Sequence, residues 1–160
     1  GLTHVCTLTR LLPERDPHPA LHAELEELMD VLLDPQQAAV RIARFELNLL
    51  AELGFGLDLE ACAATGTREN LVYVSPKSGR AVSRAAGAPW QDKLIRLPAF
   101  LAGETDVPGV SPDEIADAFV LTGFFLTRHV LEPRGSALPE ARAQFLTALR
   151  KTLSPKSSGE

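Results

Sequence analysis

The stretch from Cys62 to Gly87, CAATGTRENLVYVSPKSGRAVSRAAG, has the spacing of a small zinc ribbon. A structural zinc site needs four thiolate or imidazole ligands from two C-x2-C knuckles, because the ion binds in a closed tetrahedron. Here only Cys62 supplies sulfur, and the other three ligand positions hold Thr65, Ser83 and Ala86. One thiolate cannot close the site. We therefore expect a ribbon-like hairpin that binds no zinc and is held by side-chain packing.

Two other patterns could support chemistry. His18 and His22 have the i, i+4 spacing of two metal ligands on one helical face, but no third ligand or H-E-x-x-H pattern accompanies them. Ser75 and Lys77 have a Ser-x-Lys spacing inside a predicted turn, and Cys62 has no neighbouring histidine. The sequence predicts no catalytic residue, no metal site, no cofactor and no enzymatic activity.

The net charge of −5 conceals a basic segment. Residues 62–96 carry six basic and two acidic side chains, whereas residues 1–61 carry four basic and eleven acidic ones. Bases on a small rigid protrusion can contact phosphates without reading base sequence. Tyr73 and Trp90 are the nearby aromatic candidates for base stacking, too few for strong sequence-specific recognition. The predicted surface for DNA or a protein partner consists of Lys77, Arg80, Arg84, Lys93 and Arg96; a merely solvated charged face is the alternative.

A second basic pair, Arg41 and Arg44, lies one turn apart on a predicted helix. A base beside an apolar groove suits an acidic peptide that ends in a hydrophobic residue. We predict that this pair binds such a peptide, with Arg128 and Arg134 extending either basic surface. The alternative is again a solvated helix face.

The elements that must position these residues are mainly helical. Pro19 opens one helix, the Asp34-Pro35 pair opens the next, and Gly54 is expected to stop it. Ser111 begins a capping box for a wide, apolar helix, which predicts a central place in the core. A last helix is predicted at about residues 139–153, and the apolar residues 2–12 resemble the end of another.

The inserted hairpin is predicted from LVYV at 71–74, the turn SPKSG and the return strand RAV. Val72, Val74 and Val82 are expected to pack against the helices, with Tyr73 on the opposite face. Residues 94–101 are expected to form a short helix broken by Pro98.

These elements predict a mainly α fold, a bundle of about five to six helices with one small β-hairpin at about 62–87. One domain is expected over residues 1–153, followed by a flexible tail at 154–160. No apolar run is long enough to cross a membrane, no signal peptide is visible, and the two cysteines suit a reducing cytoplasm.

Several segments resemble the carboxy-terminal part of the RecO family of bacterial recombination mediators. The resemblance runs from about Leu11 to Arg142 and is most specific in RFELNLLAELGFG (44–56) and in the Cys62–Gly87 block. It implies a helical domain with a zinc-ribbon-like insertion, normally preceded by an OB-fold barrel. It also implies binding of single- and double-stranded DNA, strand annealing, and cooperation with RecR and sometimes RecF. Such proteins help to load RecA onto strands coated by single-strand-binding protein, whose acidic tail some members bind on the helical domain.

This chain departs from that pattern in two ways. Only ten residues precede Leu11, whereas a five-stranded barrel needs about 70, so the OB-fold half is expected to be absent and DNA binding weak. The four-cysteine site is reduced to Cys62. The expected function is that of a cytoplasmic, nucleoid-associated DNA repair and recombination mediator fragment; the alternative is a purely structural scaffold for the absent barrel.

Overall fold

The chain folds into a small helical bundle with one sheet, as a computed structural model describes for residues 2–12, 18–31, 33–103 and 109–153. The predicted tail at 154–160 lies outside these residues. The helices are α1 (Leu2–Thr9), α2 (Pro19–Asp30), α3 (Pro35–Glu52), α4 (Arg84–Gly87), α5 (Pro112–Phe125) and α6 (Glu140–Leu153). The strands are β1 (Leu71–Val74), β2 (Ala81–Ser83) and β3 (Ile95–Arg96). The mainly α fold class is therefore confirmed.

Two helix starts follow directly from local sequence. Asp34 accepts hydrogen bonds from the backbone N–H groups of Gln36 and Gln37, at 3.0 and 3.1 Å, and so caps α3. Ser111 and Glu114 form a complete reciprocal capping box at the start of α5. Such caps satisfy N–H groups that have no partner inside the helix, which is worth about 1 kcal/mol each.

Helix α3 is the centre of the bundle, because α2, α5 and α6 pack against it, while α1 packs against α6 and reaches α3 through His4 and Glu46. Its apolar stripe is fully buried through Ile42, Phe45, Leu49 and Leu50. Burying each such side chain stabilises the fold by roughly 1.5–3 kcal/mol. The helix stops at Gly54, whose φ of 88° lies in the left-handed region that glycine adopts without strain.

Helix α5 continues beyond Phe125 through π-helical turns at Leu126–Leu131 and a 3-10 turn at Glu132–Arg134. His129 lies in the π-helical part, stacked between the rings of Phe55 and Phe125 at centroid distances of 5.4 and 5.7 Å. This stack joins the end of α5 to the segment that follows α3. No described helix has both the length and the apolar character needed to cross a membrane.

The sheet has three antiparallel strands in the order β2-β1-β3, one more than the predicted hairpin. The helix expected at 94–101 is wrong. Those residues form β3 and then a 3-10 turn at Ala99–Leu101. Pro98 explains the difference, because a residue that precedes proline is disfavoured in the α conformation.

Tyr73 is expected on the face opposite Val72, Val74 and Val82, and that face is covered by α4. The side chain of Tyr73 is buried, whereas Val72 is only half-buried. A bulge between Leu71 and Tyr73 shifts the register against β2. The Tyr73 ring then packs over Gly87 of α4, where an added Cβ would come within 2.5 Å of the ring. Helix α4 therefore packs against the part of the sheet that carries Tyr73.

Candidate nucleic-acid interface

The first half of the ribbon-like insertion is a tight turn closed by backbone hydrogen bonds. The backbone N–H of Gly66 donates to the carbonyl of Cys62 at 2.8 Å, and that of Cys62 donates to the carbonyl of Thr67 at 2.7 Å. The buried Sγ of Cys62 accepts a hydrogen bond of 3.2 Å from the backbone N–H of Ser83. The two positions that would carry ligands in a ribbon thus lie side by side, joined by a hydrogen bond.

The thiol of Cys62 is electrostatically unusual. Burial opposes its ionisation, but hydrogen bonds from Ser83, Thr65 and the backbone of Ala64 outweigh burial and lower its pKa to about 6. No group of three or more histidine, cysteine, aspartate or glutamate side chains in the described ranges could hold a metal ion.

The hairpin is fixed to the helical body by a short parallel bridge between Asp58 and Arg80. The backbone of Asp58 accepts from Ala81 at 2.8 Å and donates to Gly79 at 3.0 Å. The Arg80 guanidinium adds an ion pair, with Nε 3.1 Å from Oδ2 of Asp58. This side chain still exposes 46% of its surface, so it remains accessible to an anion.

The other predicted bases of this surface are also exposed. Lys77 lies at the tip of the turn between β1 and β2, and Arg84 is the first residue of α4, immediately after β2. Lys93 lies in a 3-10 helix, Ala88–Lys93, with its ammonium 5.4 Å from the ring centroid of Trp90. Arg96 is exposed on β3, but it lies close to Asp117. Burial raises the pKa of Asp117, and the charge of Arg96 partly offsets this effect.

The predicted peptide-binding pair on α3 has neighbours of opposite charge. Arg41 forms an ion pair with Glu27 of α2. Arg44 donates from Nε and Nη2 to the carbonyl oxygen of Phe100, at 3.3 and 3.2 Å. Burial raises the pKa of Glu24, and both arginines lower it, so this carboxyl group also faces them. An acidic peptide at this surface would have to compete with Glu24 and Glu27.

Arg128 and Arg134 lie at the far end of α5, apart from the α3 pair in the chain. Arg134 donates from Nη1 to the carbonyl of Leu11 at 3.3 Å, and so ties this end to the end of α1. Arg128 is exposed beside a groove of about 890 Å³ between α5 and α6. Apolar groups of Phe119, Phe124 and Leu146 line the groove. Its charged lining residues are Asp113, Arg128, Glu132, Arg142 and Arg150.

A buried ionic cluster is the main feature that the sequence reasoning missed. Glu46 of α3 is fully buried and holds three partners from three other helices. His4 Nε2 lies 2.5 Å from Oε1, and Arg142 donates from Nε to Oε1 at 2.8 Å and from Nη2 to Oε2 at 3.0 Å. Thr122 donates its hydroxyl to Oε2. Burial raises the pKa of Glu46, but the bonds from His4 and Arg142 outweigh it, so the pKa lies below the usual range.

The cluster also explains the glycine within α5. A Cβ at Gly123 would lie 3.0–3.2 Å from guanidinium atoms of Arg142, so the bare backbone there leaves room for that group. The same guanidinium donates to the carbonyl of Phe119 at 2.7 Å and lies 5.1 Å from its ring centroid. Three features of the sequence could have indicated this cluster. They are a glutamate within an apolar stripe, a glycine inside a central helix and an arginine in the last helix.

Comparison with known proteins assigns the family. The family model described as "Recombination protein O C terminal" matches residues 1–137, which include the insertion and the whole of helices α1 to α5. The chain belongs to the RecO family. The resemblance seen in the sequence is thereby confirmed.

Relatives described as "DNA repair protein RecO" extend this result. The chain is 57% identical over 151 residues to the protein from Bradyrhizobium sp. (strain BTAi1 / ATCC BAA-1182). The aligned region covers 94% of this chain and 61% of that protein. The chain is 56% identical over 154 residues to that of Rhodopseudomonas palustris (strain BisB5), covering 96% and 62%. For Mesorhizobium japonicum the identity is 58% over 151 residues, covering 94% and 59%. The chain thus spans about 60% of the length of these RecO proteins. No solved structure matches it.

Proposed function

We propose that this chain is the helical part of a DNA repair and recombination mediator that acts by binding and not by catalysis. The observation that carries the proposal is the basic segment 62–96, whose bases Lys77, Arg84 and Lys93 are exposed in a chain of net charge −5. Membership of the RecO family supports it. In this proposal the hairpin surface contacts the phosphates of DNA, or RecR, within a pathway that anneals strands and loads RecA, with RecF as a further partner.

The fixed geometry of the hairpin supports phosphate binding. A hydrogen bond to Cys62 closes the insertion internally, and the backbone bonds of Asp58 attach it to the segment that follows α3, so its bases sit on a structured support. Phosphate contacts of this kind give affinity that falls steeply with salt and carries little sequence preference. Strand annealing and loading of a recombinase both require contact with DNA of any sequence.

Binding of the 160-residue chain to fluorescently labelled single-stranded and duplex oligonucleotides tests this proposal. We expect weak binding at about 50 mM salt, measured by fluorescence anisotropy, that decreases as salt is raised. The scaffold alternative, a domain that merely supports a DNA-binding barrel, predicts no binding at any salt concentration. Absence of binding at low salt would therefore contradict DNA as the partner of this surface and leave RecR or the scaffold role.

We further propose that the helical body binds the acidic tail of single-strand-binding protein. Two basic surfaces are candidates. One is the α3 pair, where Arg44 donates to the backbone carbonyl of the buried Phe100, and the other is Arg128 beside the apolar groove between α5 and α6. An apolar residue at the end of the tail would fill the apolar part, while its carboxylates pair with the arginine.

An acidic peptide ending in Pro-Phe distinguishes the two surfaces. Loss of a charge-assisted hydrogen bond costs about 1.5–3 kcal/mol, so Arg44→Ala or Arg128→Ala should weaken binding roughly 12- to 140-fold, whichever surface is used. Titration calorimetry of both variants measures the effect. Arg10→Ala removes an exposed base outside both surfaces and should change nothing. Equal affinity of all three variants and the parent would rule out both surfaces.

A further inference from the structure

Trp90 presents an exposed indole ring within the basic segment 62–96. The residue exposes 57% of its surface and lies in the 3-10 helix Ala88–Lys93, directly after α4. Its exposed ring offers a flat π face of the kind on which nucleic-acid bases stack. The other aromatic candidate for base stacking, Tyr73, is buried against Gly87 and has no free face to offer.

The backbone geometry aligns Trp90 with a cation. In a 3-10 helix with three residues per turn, side chains at i and i+3 eclipse each other, so Trp90 and Lys93 lie on one edge. The ammonium of Lys93 is accordingly 5.4 Å from the ring centroid. Asp92, the acid nearest in sequence, lies about 240° around the same helix from Trp90, away from this edge.

Two further basic residues flank Trp90 and Lys93 in the sequence. Arg84 begins α4 six residues before Trp90, and Arg96 follows six residues after it; both are exposed. A nucleotide in a single strand offers a flat base for stacking and a phosphate for pairing with a cation. Stacking accepts any base, because every base has a π face, whereas the bases of a duplex are already stacked on each other.

We propose that Trp90 and Lys93 form a binding site for one nucleotide of single-stranded nucleic acid. The base stacks on the indole ring and Lys93 pairs with the adjoining phosphate. This proposal rests on the proposed function, which is DNA binding by the basic segment. It adds that single strands are preferred over duplex at the Trp90 ring. A protein surface is a less suitable occupant, since three exposed bases, Arg84, Lys93 and Arg96, lie near the ring in the chain.

The fluorescence of Trp90 provides a direct test, because it is the only tryptophan in the chain. The probes are a 12-nucleotide oligothymidylate, an abasic strand with the same number of phosphates, and a duplex of the same length. The thymidylate is expected to quench the fluorescence, whereas the abasic strand and the duplex leave it nearly unchanged. Affinity for all three is measured in parallel by anisotropy.

Variants separate stacking from phosphate pairing. Stacking of one base raises affinity by about 5- to 140-fold. Trp90→Ala should therefore lower the affinity for thymidylate by that factor and leave the affinity for the abasic strand unchanged. Trp90→Phe, which retains a smaller ring, should lose less. Lys93→Gln should weaken the thymidylate and the abasic strand alike. Circular dichroism checks that each variant is folded.

The possible failures are distinguishable. If the thymidylate and the abasic strand bind equally and quench nothing, the stacking site is wrong, while phosphate binding by the hairpin surface stands. If none of the three probes binds at low salt, the proposed function itself fails. If Trp90→Ala leaves thymidylate affinity unchanged, the ring is not part of the DNA surface, and a protein partner becomes its occupant.

Discussion

Replacing Glu46 with alanine is expected to destabilise the domain by about 3–5 kcal/mol. The substitution leaves the guanidinium of Arg142 and the ring of His4 buried without their carboxylate, and removing one partner of a buried ion pair has this cost. Because small domains are stable by only about 5–15 kcal/mol, the variant should be close to the limit of folding. Urea unfolding followed by circular dichroism measures the change.

A surface ion pair of the same helix provides the matched control. Glu52 lies six residues further along α3, with Oε2 2.7 Å from Nδ1 of His18, and its side chain exposes 36% of its surface. Glu52→Ala should cost no more than about 1 kcal/mol, since solvent screens exposed pairs. Glu46→Gln removes the charge but keeps the shape of the side chain. If Glu46→Ala does not fold, the change in stability is measured on Glu46→Gln instead. Equal effects at positions 46 and 52 would contradict the role of the cluster.

The same carboxylate makes stability depend on pH. The pKa of Glu46 is lowered in the folded state by the bonds from His4 and Arg142, despite burial. Its contribution is therefore fully present above the unfolded pKa near 4.5 and is lost as pH falls through the lower folded value. Glu46→Gln should remove this part of the acid sensitivity, and urea midpoints across that range would report it.

Neutralising two bases of the hairpin surface is expected to lower DNA affinity by roughly 10- to 60-fold at 0.1 M salt. Each phosphate contact makes the slope of log affinity against log salt steeper by about 0.9. At 0.1 M salt, the loss of one contact therefore lowers the affinity by nearly tenfold. Lys77→Ala with Arg84→Ala is the preferred pair, because Arg80 is also engaged by Asp58. Anisotropy with labelled oligonucleotides measures the loss, which should be the same for unrelated sequences.

The matched control neutralises two exposed bases elsewhere. Arg10 follows α1 and Lys151 lies in α6, so Arg10→Ala with Lys151→Ala changes the net charge equally. This variant should bind DNA with nearly the affinity of the parent, because its changed net charge acts on the DNA only at long range. A loss equal to that of the hairpin variant would mean that total charge, and not the hairpin surface, governs binding.

Local sequence signals were sufficient for most of the helices. The caps at Asp34 and Ser111 and the stop at Gly54 are set by hydrogen bonds or backbone angles within a few residues, so the pattern alone predicts them. The lack of ligand residues around Cys62 is equally local. Signals of this kind gave the fold class and the place of the insertion.

Apart from the local effect of Pro98 on residues 94–101, the unexpected features arise from contacts between residues distant in the chain. Glu46 meets partners 42, 76 and 96 residues away, so nothing nearby in sequence shows that its charge is buried and matched. Tyr73 is buried because α4 folds over the sheet, and β3 forms because residues 95 and 96 find a partner strand in β1. Whether Arg41 is engaged by Glu27 likewise depends on how α2 packs against α3.

The salt dependence of DNA binding tests most directly whether the hairpin bases contact phosphates. Log affinity is measured against log salt for the parent chain, for Lys77→Ala with Arg84→Ala, and for the control pair at Arg10 and Lys151. The account predicts that the slope of the hairpin variant is smaller by about two, while the slope of the control equals that of the parent. Equal slopes for all three proteins would contradict it.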